Sequence, residues 1–419
     1  MNKPVLCIIG AGYVGLPLAV AFSKHFQTIV YTHSAKHVDE LRKGIDRTET
    51  FSAEELSESD MLITSDLQAV RSATIYIVTV PTPVDDKMQP DLSPLLSATH
   101  AVGSVLSKGD IVVYESTVYI GCTEELCVRI LQEESSLIYN DEFYCGFSPE
   151  RINPADREHT ITTVVKIVSG STANTAEILA SLYGTIVEAG VHKAPSIKVA
   201  EASKLLENIQ RDVNIALMNE LALVYKKMGL STSDVIDAAS TKWNFNRYTP
   251  GLVGGHCIGV DPYYLISNAH QNGIQVPIIE QARRTNNAMA QYIVEEVENS
   301  MKTKGLSLKG SSVLLLGLTF KENCSDIRNS QSAVIHGKLT LKGAKVDVVD
   351  PCAQAMEVKG EYAIELMTAP WDYKLYDAII VAVAHDAFKT LDWKELKKTD
   401  AVLFDVKGIV PKEDRNLYL

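Results

Sequence analysis

The chain lacks the marks of several broad classes. No apolar run reaches the roughly 18 residues that a membrane span needs, and the apolar start Val5-Leu6-Cys7-Ile8-Ile9 runs into glycine-rich sequence instead of a cleavage site. A soluble, cytoplasmic protein with no membrane partner is the expectation. Positive charge is in deficit, 40 Lys and Arg against 52 Asp and Glu for a net charge of -12. That balance excludes a broad nucleic-acid surface, so any anionic ligand must be held by a few local cations or backbone N–H groups. Paired cysteines are missing too: the 7 cysteines show no Cys-x-x-Cys and no zinc-like spacing, which excludes a disulfide framework and a structural metal. No low-complexity stretch, linker or countable repeat interrupts the chain.

What is present is an ordinary globular composition, 46% hydrophobic and 22% charged over 419 residues, enough for two or three domains. Val5–Ile9, then Gly10-Ala11-Gly12-Tyr13-Val14-Gly15, then an apolar run from Leu16 to Phe22 read as strand, tight turn and helix. Strand-like runs at Ile75–Val80 and Ile111–Tyr114 alternate with helical stretches, the pattern of a wound parallel sheet. From Ser196 to Met228 apolar residues recur at helical spacing without Pro or Gly, a rod of about 50 Å. Strand patterns return at Ser312–Leu316, Lys345–Val349, Ala378–Ala382 and Ala401–Asp405. The expected fold class is α/β, two Rossmann-like doubly wound domains joined by a long central helix and a helical middle domain. The expected bounds are 1–195, 196–305 and 306–419.

Gly10-x-Gly12-x-x-Gly15, directly after a strand and opening a helix, fits a dinucleotide turn: the glycines allow a sharp bend, close approach of a pyrophosphate and tight helix packing. Tyr13, Val14 and Thr82 belong to the same cofactor end. The second half of that fingerprint is missing, because the next strand, Gln27–Tyr31, leads to Thr32-His33-Ser34-Ala35-Lys36-His37 with no carboxylate for a ribose diol. Thr32 and Lys36 could instead accept a 2′-phosphate, so NADP stands beside NAD held by other contacts.

Gly254-Gly255-His256-Cys257-Ile258-Gly259-Val260-Asp261 sets one cysteine in a glycine-rich loop with a carboxylate one helical turn onward. A lone cysteine is commonly a buried, inert residue; the flanking glycines, leaving room for a substrate, make a nucleophile the competing reading. Nothing local favours His256 as a base over a structural loop residue. On the long helix, Lys204 and Asn208 share a face with Glu201 and Arg211 nearby. That face is either a solvated, salt-bridged stripe or a pair of donors for a developing oxyanion.

With Gly10–Gly15, Glu115-Ser116-Thr117-Val118, Ser148-Pro149-Glu150-Arg151, Lys204/Asn208, Gly254–Asp261 and Leu316-Gly317-Leu318-Thr319-Phe320-Lys321 in order, the chain resembles the UDP-glucose/UDP-mannuronate dehydrogenase family over essentially its whole length. Lys198–Glu201, Gln210–Leu217 and Pro250–Cys257 look most like bacterial UDP-N-acetylhexosamine 6-dehydrogenases of surface-polysaccharide synthesis. The resemblance implies a four-electron oxidation of a UDP-sugar alcohol to a uronic acid through a thiohemiacetal and thioester on Cys257. It makes Lys204 and Asn208 the oxyanion stabilisers, Thr117 and Asp261 the holders of a water or proton acceptor, and Glu150 an aid to thioester hydrolysis. It also implies that Lys321 and the following segment with Arg328 contact nucleotide ligands, that Arg151 and Gly254 line the substrate site, that Arg247 meets the diphosphate, and that the protein is a homodimer. For Lys321 and Arg247 a surface salt bridge is the plain alternative. Ile120, Ala155 and Thr249 depart from the family pattern, as Thr32 does. Three other readings remain: a UDP-ManNAc or UDP-glucose 6-dehydrogenase, a two-electron hydroxyacid dehydrogenase, and a ligand sensor without catalysis.

Overall fold

The structure, a computed structural model, describes residues 3–48, 50–85, 87–151, 158–367 and 374–419; Ala155 lies outside them. The chain packs as two compact units, residues 1–207 with 263–273 and residues 208–262 with 274–419. In the first unit eight strands, β1 (Leu6–Ile9), β2 (Thr28–Tyr31), β3 (Met61–Thr64), β4 (Ile75–Val78), β5 (Ile111–Tyr114), β6 (Tyr144–Phe147), β7 (Lys166–Gly170) and β8 (Val191–Lys193), form one sheet in the order β3-β2-β1-β4-β5-β6-β7-β8. Pairing is parallel except between β6 and β7. Every residue of β1, β4 and β5 is buried, which is why these strands read as continuous apolar runs: helices cover both faces of such a sheet. Because β1 is flanked by β2 and β4, the winding reverses there, and ligands of open α/β sheets bind beyond the carboxyl ends of the strands at such a switch point.

Asp110, at the entry to β5, is buried and its carboxylate accepts the Ser107 N–H at 2.8 Å. Burial outweighs that bond and pushes its carboxyl up to about 6. The folded state therefore holds a proton there that the unfolded chain has released. The associated stability is complete below the ordinary value of 3.8 and is lost as pH rises through about 6. Asp110→Asn is expected to gain stability relative to the parent across that window; urea midpoints at pH 4 and 7 test it, and an equal difference at both would refute it.

In the second unit β9 (Ser312–Leu316), β10 (Lys345–Val349), β11 (Tyr376–Val381), β12 (Lys397–Asp405) and β13 (Leu417–Tyr418) make an all-parallel sheet in the order β10-β9-β11-β12-β13. β5, β9 and β10 have the bounds that the apolar patterns mark. Between the two sheets in sequence run the 31-residue helix Ile197–Lys227, hereafter the central helix, and the helices Thr232–Ala239, Asp261–Gln271 and Pro277–Thr303. The fold class read from the sequence is the one the chain adopts. Among the described residues no helix is long and apolar enough to cross a membrane, and none of the seven cysteines is in a disulfide.

Candidate active site

The turn after β1 is built for an anion. Gly10 has φ +104°, in the left-handed region that favours glycine. A Cβ on Gly15 would lie 2.0 Å from the Gly10 carbonyl oxygen and 2.4 Å from the Thr79 hydroxyl, so only glycine lets the helix Gly15–Ser23 start against the turn. Beside Gly12, by contrast, a Cβ would meet nothing within 4 Å, so the backbone there is open to close approach by a phosphate group. The helix N-terminus at Val14 carries no side-chain cap, which leaves this end of the helix dipole to a ligand. Thr79 locks the turn by donating to the carbonyls of Ile9 and Gly10 at 3.0 Å each. Sequence reasoning missed it; its place at the carboxyl end of β4 is the signal that could have found it. Tyr13, Val14 and Thr82 are half-buried around this end of the sheet.

At the end of β2, Thr32 is buried, and Ser34 caps the helix Ala35–Arg42 by accepting the His37 N–H at 3.3 Å. Lys36 is 82% exposed and only loosely paired to Glu40, 3.9 Å away, while Glu40 is held by Arg47 at 2.6 Å. A cation is thus available beside a buried hydroxyl where a dinucleotide fold usually carries an acid.

Beyond β5 the chain gathers buried charge. Lys166 of β7 donates to Glu115 at 2.6 Å and lies 3.8 Å from Glu150; Tyr183 donates its hydroxyl to the other Glu115 oxygen. Burial pushes the Glu115 carboxyl above its usual range and Lys166 opposes the shift. Glu150 accepts the Arg151 N–H at 2.6 Å, and its backbone carbonyl receives Lys204 at 2.8 Å. Arg151 bridges to Glu207 at 3.0 Å. Thr117 is half-buried two residues past Glu115. Glu201, a member of the helix stripe, has a different job: it accepts the N–H groups of Gly121 and Thr123 at 2.6 and 2.9 Å, and so supports the loop after β5. Within the first unit the structure therefore brings Glu150, Arg151 and Lys204 together.

In the second unit Asn208 donates its amide to Asp261 at 2.5 Å. Asp261 opens the helix Asp261–Gln271, and its N–H bonds back to the Cys257 carbonyl at 2.8 Å, so the loop does coil by one turn. Gly254 and Gly255, before Cys257, also allow close packing. A Cβ on Gly254 would stand 2.6 Å from the Asn329 carbonyl, and one on Gly255, at φ +79°, 2.7 Å from the Phe320 ring. Asn219 of the central helix clamps the start of the loop, exchanging two bonds with the Gly251 backbone at 2.8 and 3.0 Å. The half-buried thiol of Cys257 lies 2.9 Å from His256 Nδ1, and His256 Nε2 lies 3.4 Å from Asp326. No spacing rule foretells that arrangement, because Asp326 belongs to a loop far in sequence from His256 and Cys257.

Arg328 grips Asp326 through both nitrogens, at 2.6 and 3.0 Å, and Lys321 lies over the Phe320 ring at 5.5 Å. A small cavity lined by Gly254, Phe320, Lys321, Glu322, Ser332 and Lys407 sets two ammonium groups beside one carboxylate. Lys407 was not singled out in the sequence, although its place just beyond β12, at the carboxyl end of a parallel strand, could have flagged it. Arg247 is paired with Asp237 at 2.7 Å and Ser240 at 3.1 Å on an exposed surface. Below the turn after β9, the Asp350 carboxylate accepts the N–H groups of Leu318 and Thr319 at 2.6 and 2.9 Å and meets His385 at 3.0 Å. The N–H groups that would face a phosphate are thus already satisfied, so the second sheet does not repeat the dinucleotide turn of the first.

Residues 5–187 match the NAD binding domain of the UDP-glucose/GDP-mannose dehydrogenase family, residues 198–288 its central domain and residues 314–412 its UDP binding domain. The chain is 48% identical to a UDP-N-acetyl-D-glucosamine 6-dehydrogenase of Salmonella typhi over 100% of this chain and 99% of that one. It is 47% identical to the protein of that name from Pseudomonas aeruginosa over 100% of both. The structure of a UDP-D-ManNAc dehydrogenase from Pyrococcus horikoshii is similar at a TM-score of 0.90 and 26% identity, covering 99% of this chain and 98% of that one.

Proposed function

Because this chain belongs to the UDP-glucose/GDP-mannose dehydrogenase family, we propose that it oxidises the C6 alcohol of a UDP-N-acetylhexosamine, UDP-GlcNAc or UDP-GalNAc, to the uronic acid in the cytoplasm, for surface-polysaccharide synthesis. The observation that carries this reading is Cys257: a half-buried thiol against an imidazole, one turn before a helix that begins at Asp261. A thiolate there is favoured by a neighbouring cation and by the helix N-terminus.

When bound, the nicotinamide accepts a hydride at each of the two oxidations. Gly12 and the uncapped helix end at Val14 would hold its pyrophosphate. Cys257 attacks the aldehyde carbon and keeps it tethered as thiohemiacetal and then thioester, so the reactive aldehyde neither escapes nor hydrates. Lys204 and Asn208 donate to the oxyanions, Asp261 orients Asn208 through their bond, Thr117 and Asp261 hold a water or proton acceptor, and Glu150 assists hydrolysis. Lys321, Lys407 and Arg247 supply positive charge for the diphosphate, and Arg151, Gly254 and Arg328 shape or brace the binding surfaces. The exposed apolar residues Leu217 and Ile278, 49% and 72% exposed beside a groove with Val213 and Pro277, support a homodimer.

The purified protein, offered a panel of UDP-sugars with NAD or NADP, is expected to reduce two cofactors per sugar. One per sugar would favour a two-electron dehydrogenase, binding without reduction a sensor, and a clear preference for UDP-ManNAc or UDP-glucose would move the substrate. We take NAD as the cofactor. Thr32→Asp, which supplies the missing acid, is expected to keep NAD turnover within about threefold and to raise KM for NADP at least tenfold, since a carboxylate there repels a 2′-phosphate. Undiminished NADP use by the variant would refute this assignment of the ribose end.

A further inference from the structure

We propose that His256 is a catalytic base for Cys257: its Nδ1 takes the thiol proton, and Asp326 holds the resulting imidazolium through Nε2. This rests on the reading of Cys257 as the nucleophile. Three observations support it. Sγ and Nδ1 are 2.9 Å apart, within reach for direct transfer. Nε2 lies 3.4 Å from an Asp326 oxygen, and a carboxylate on that side favours the tautomer with its proton on Nε2, leaving the Nδ1 lone pair toward sulfur. Asp326 is itself fixed by Arg328, which bonds both of its oxygens, so the orienting group is rigid. Base, nucleophile and orienter are the three parts that an activated thiol needs, and they are recognised by geometry and role.

The groups facing the imidazole include the Cys257 thiol, the Asp326 carboxylate with Arg328 behind it, and the Phe320 ring at 6.4 Å between centroids. Burial pushes the Asp326 carboxyl up, but Arg328 and His256 outweigh burial and hold it below the usual carboxylate range. It is therefore ionised wherever His256 titrates, and its charge offsets that of Arg328.

The proton balance closes without any further reagent. The S–H proton moves to Nδ1, and the sulfur pair forms the S–C bond to the aldehyde carbon while the carbonyl π pair moves to oxygen. With an oxidised nicotinamide bound as proposed, that carbon would pass its hydride to the nicotinamide while the oxygen pair re-forms the carbonyl of the thioester. In hydrolysis a water delivers hydroxyl to the acyl carbon and its other proton to a carboxylate base, the C–S bond breaks, and the departing thiolate recovers its proton from His256.

Alkylation of the free protein by iodoacetamide, followed peptide by peptide against pH, reads the thiolate without sugar or cofactor. Cys257 is expected to label with a midpoint at or below about 7.5, the range of cysteines beside an imidazolium, against about 8.5 for a free thiol. Cys352, which burial pushes up to about 11, serves as the internal reference. His256→Asn should raise the Cys257 midpoint by at least one pH unit and slow labelling at pH 7 by about tenfold; Asp326→Asn should shift it in the same direction by less. A parental midpoint in the free-thiol range, or superimposable profiles for parent and His256→Asn, overturns the proposal. If His256→Asn does not fold, the parent and Asp326→Asn profiles decide. A failure here leaves uronate formation by the parent intact, whereas failure of the functional reading appears as normal uronate formation by a protein without the Cys257 thiol.

Discussion

Cys257→Ser is expected to cut uronic acid formation by at least about 10³-fold, because removal of a nucleophile that acts within a catalytic group loses nearly the whole contribution of that group. A serine hydroxyl fills almost the same volume but is far less acidic than a thiol, so it forms no adduct comparable to the thioester. The first oxidation does not need the sulfur, so a single turnover should end with one cofactor reduced and an aldehyde that a carbonyl reagent can trap. Chromatographic measurement of aldehyde and uronate separates the outcomes, and carboxylate at the parental rate would remove the covalent mechanism. The fold should survive, since the glycines that pack Phe320 and Asn329 and the clamp from Asn219 to Gly251 are untouched.

Lys166→Met should give the largest loss of stability. Lys166 and Glu115 are 4% and 2% exposed, and the ammonium stands between Glu115 at 2.6 Å and Glu150 at 3.8 Å. Removing it leaves two carboxylates facing each other with little water, a change that costs about 3–5 kcal/mol when one partner of a buried pair is lost. The sign of the pH effect follows from Glu115, whose carboxyl burial already pushes up. Without the opposing ammonium it rises further, the protonated form is favoured in the folded state, and the variant regains stability on acidification. Urea unfolding at pH 5 and pH 8 tests both parts: a loss below about 1 kcal/mol at both values contradicts the account. Glu115→Gln in the same background should recover part of the loss, as coupled neighbours do.

The dinucleotide end was legible because its signals are local: an apolar strand, glycines at fixed intervals and an apolar helix follow one another within residues 5–23. β6 and β8 left no comparable trace. β6 contains Cys145 and Gly146, and β8 is only three residues with His192 and Lys193. β7 opens on Lys166, which would mark a loop by composition; it is buried because Glu115, 51 positions away, accepts its charge. The shared face of Lys204 and Asn208 was visible from helical spacing, but not that Asn208 would meet a carboxylate 53 positions on. His256 looked like loop filler, since an imidazole becomes a base only through what holds its other nitrogen, and Asp326 belongs to the loop after β9. Gly254 and Gly255 of that motif have a further role that spacing does not reveal: they admit the Asn329 carbonyl and the Phe320 ring.

The inward-turned carboxylate of Asp350 gives two related sheets different appetites. One opens on a helix start without a side-chain cap, while the other carries its own anion, tied to Leu318, Thr319 and His385. The same strand-led architecture can therefore serve one chain twice, with backbone N–H groups after β9 that already have a carboxylate partner.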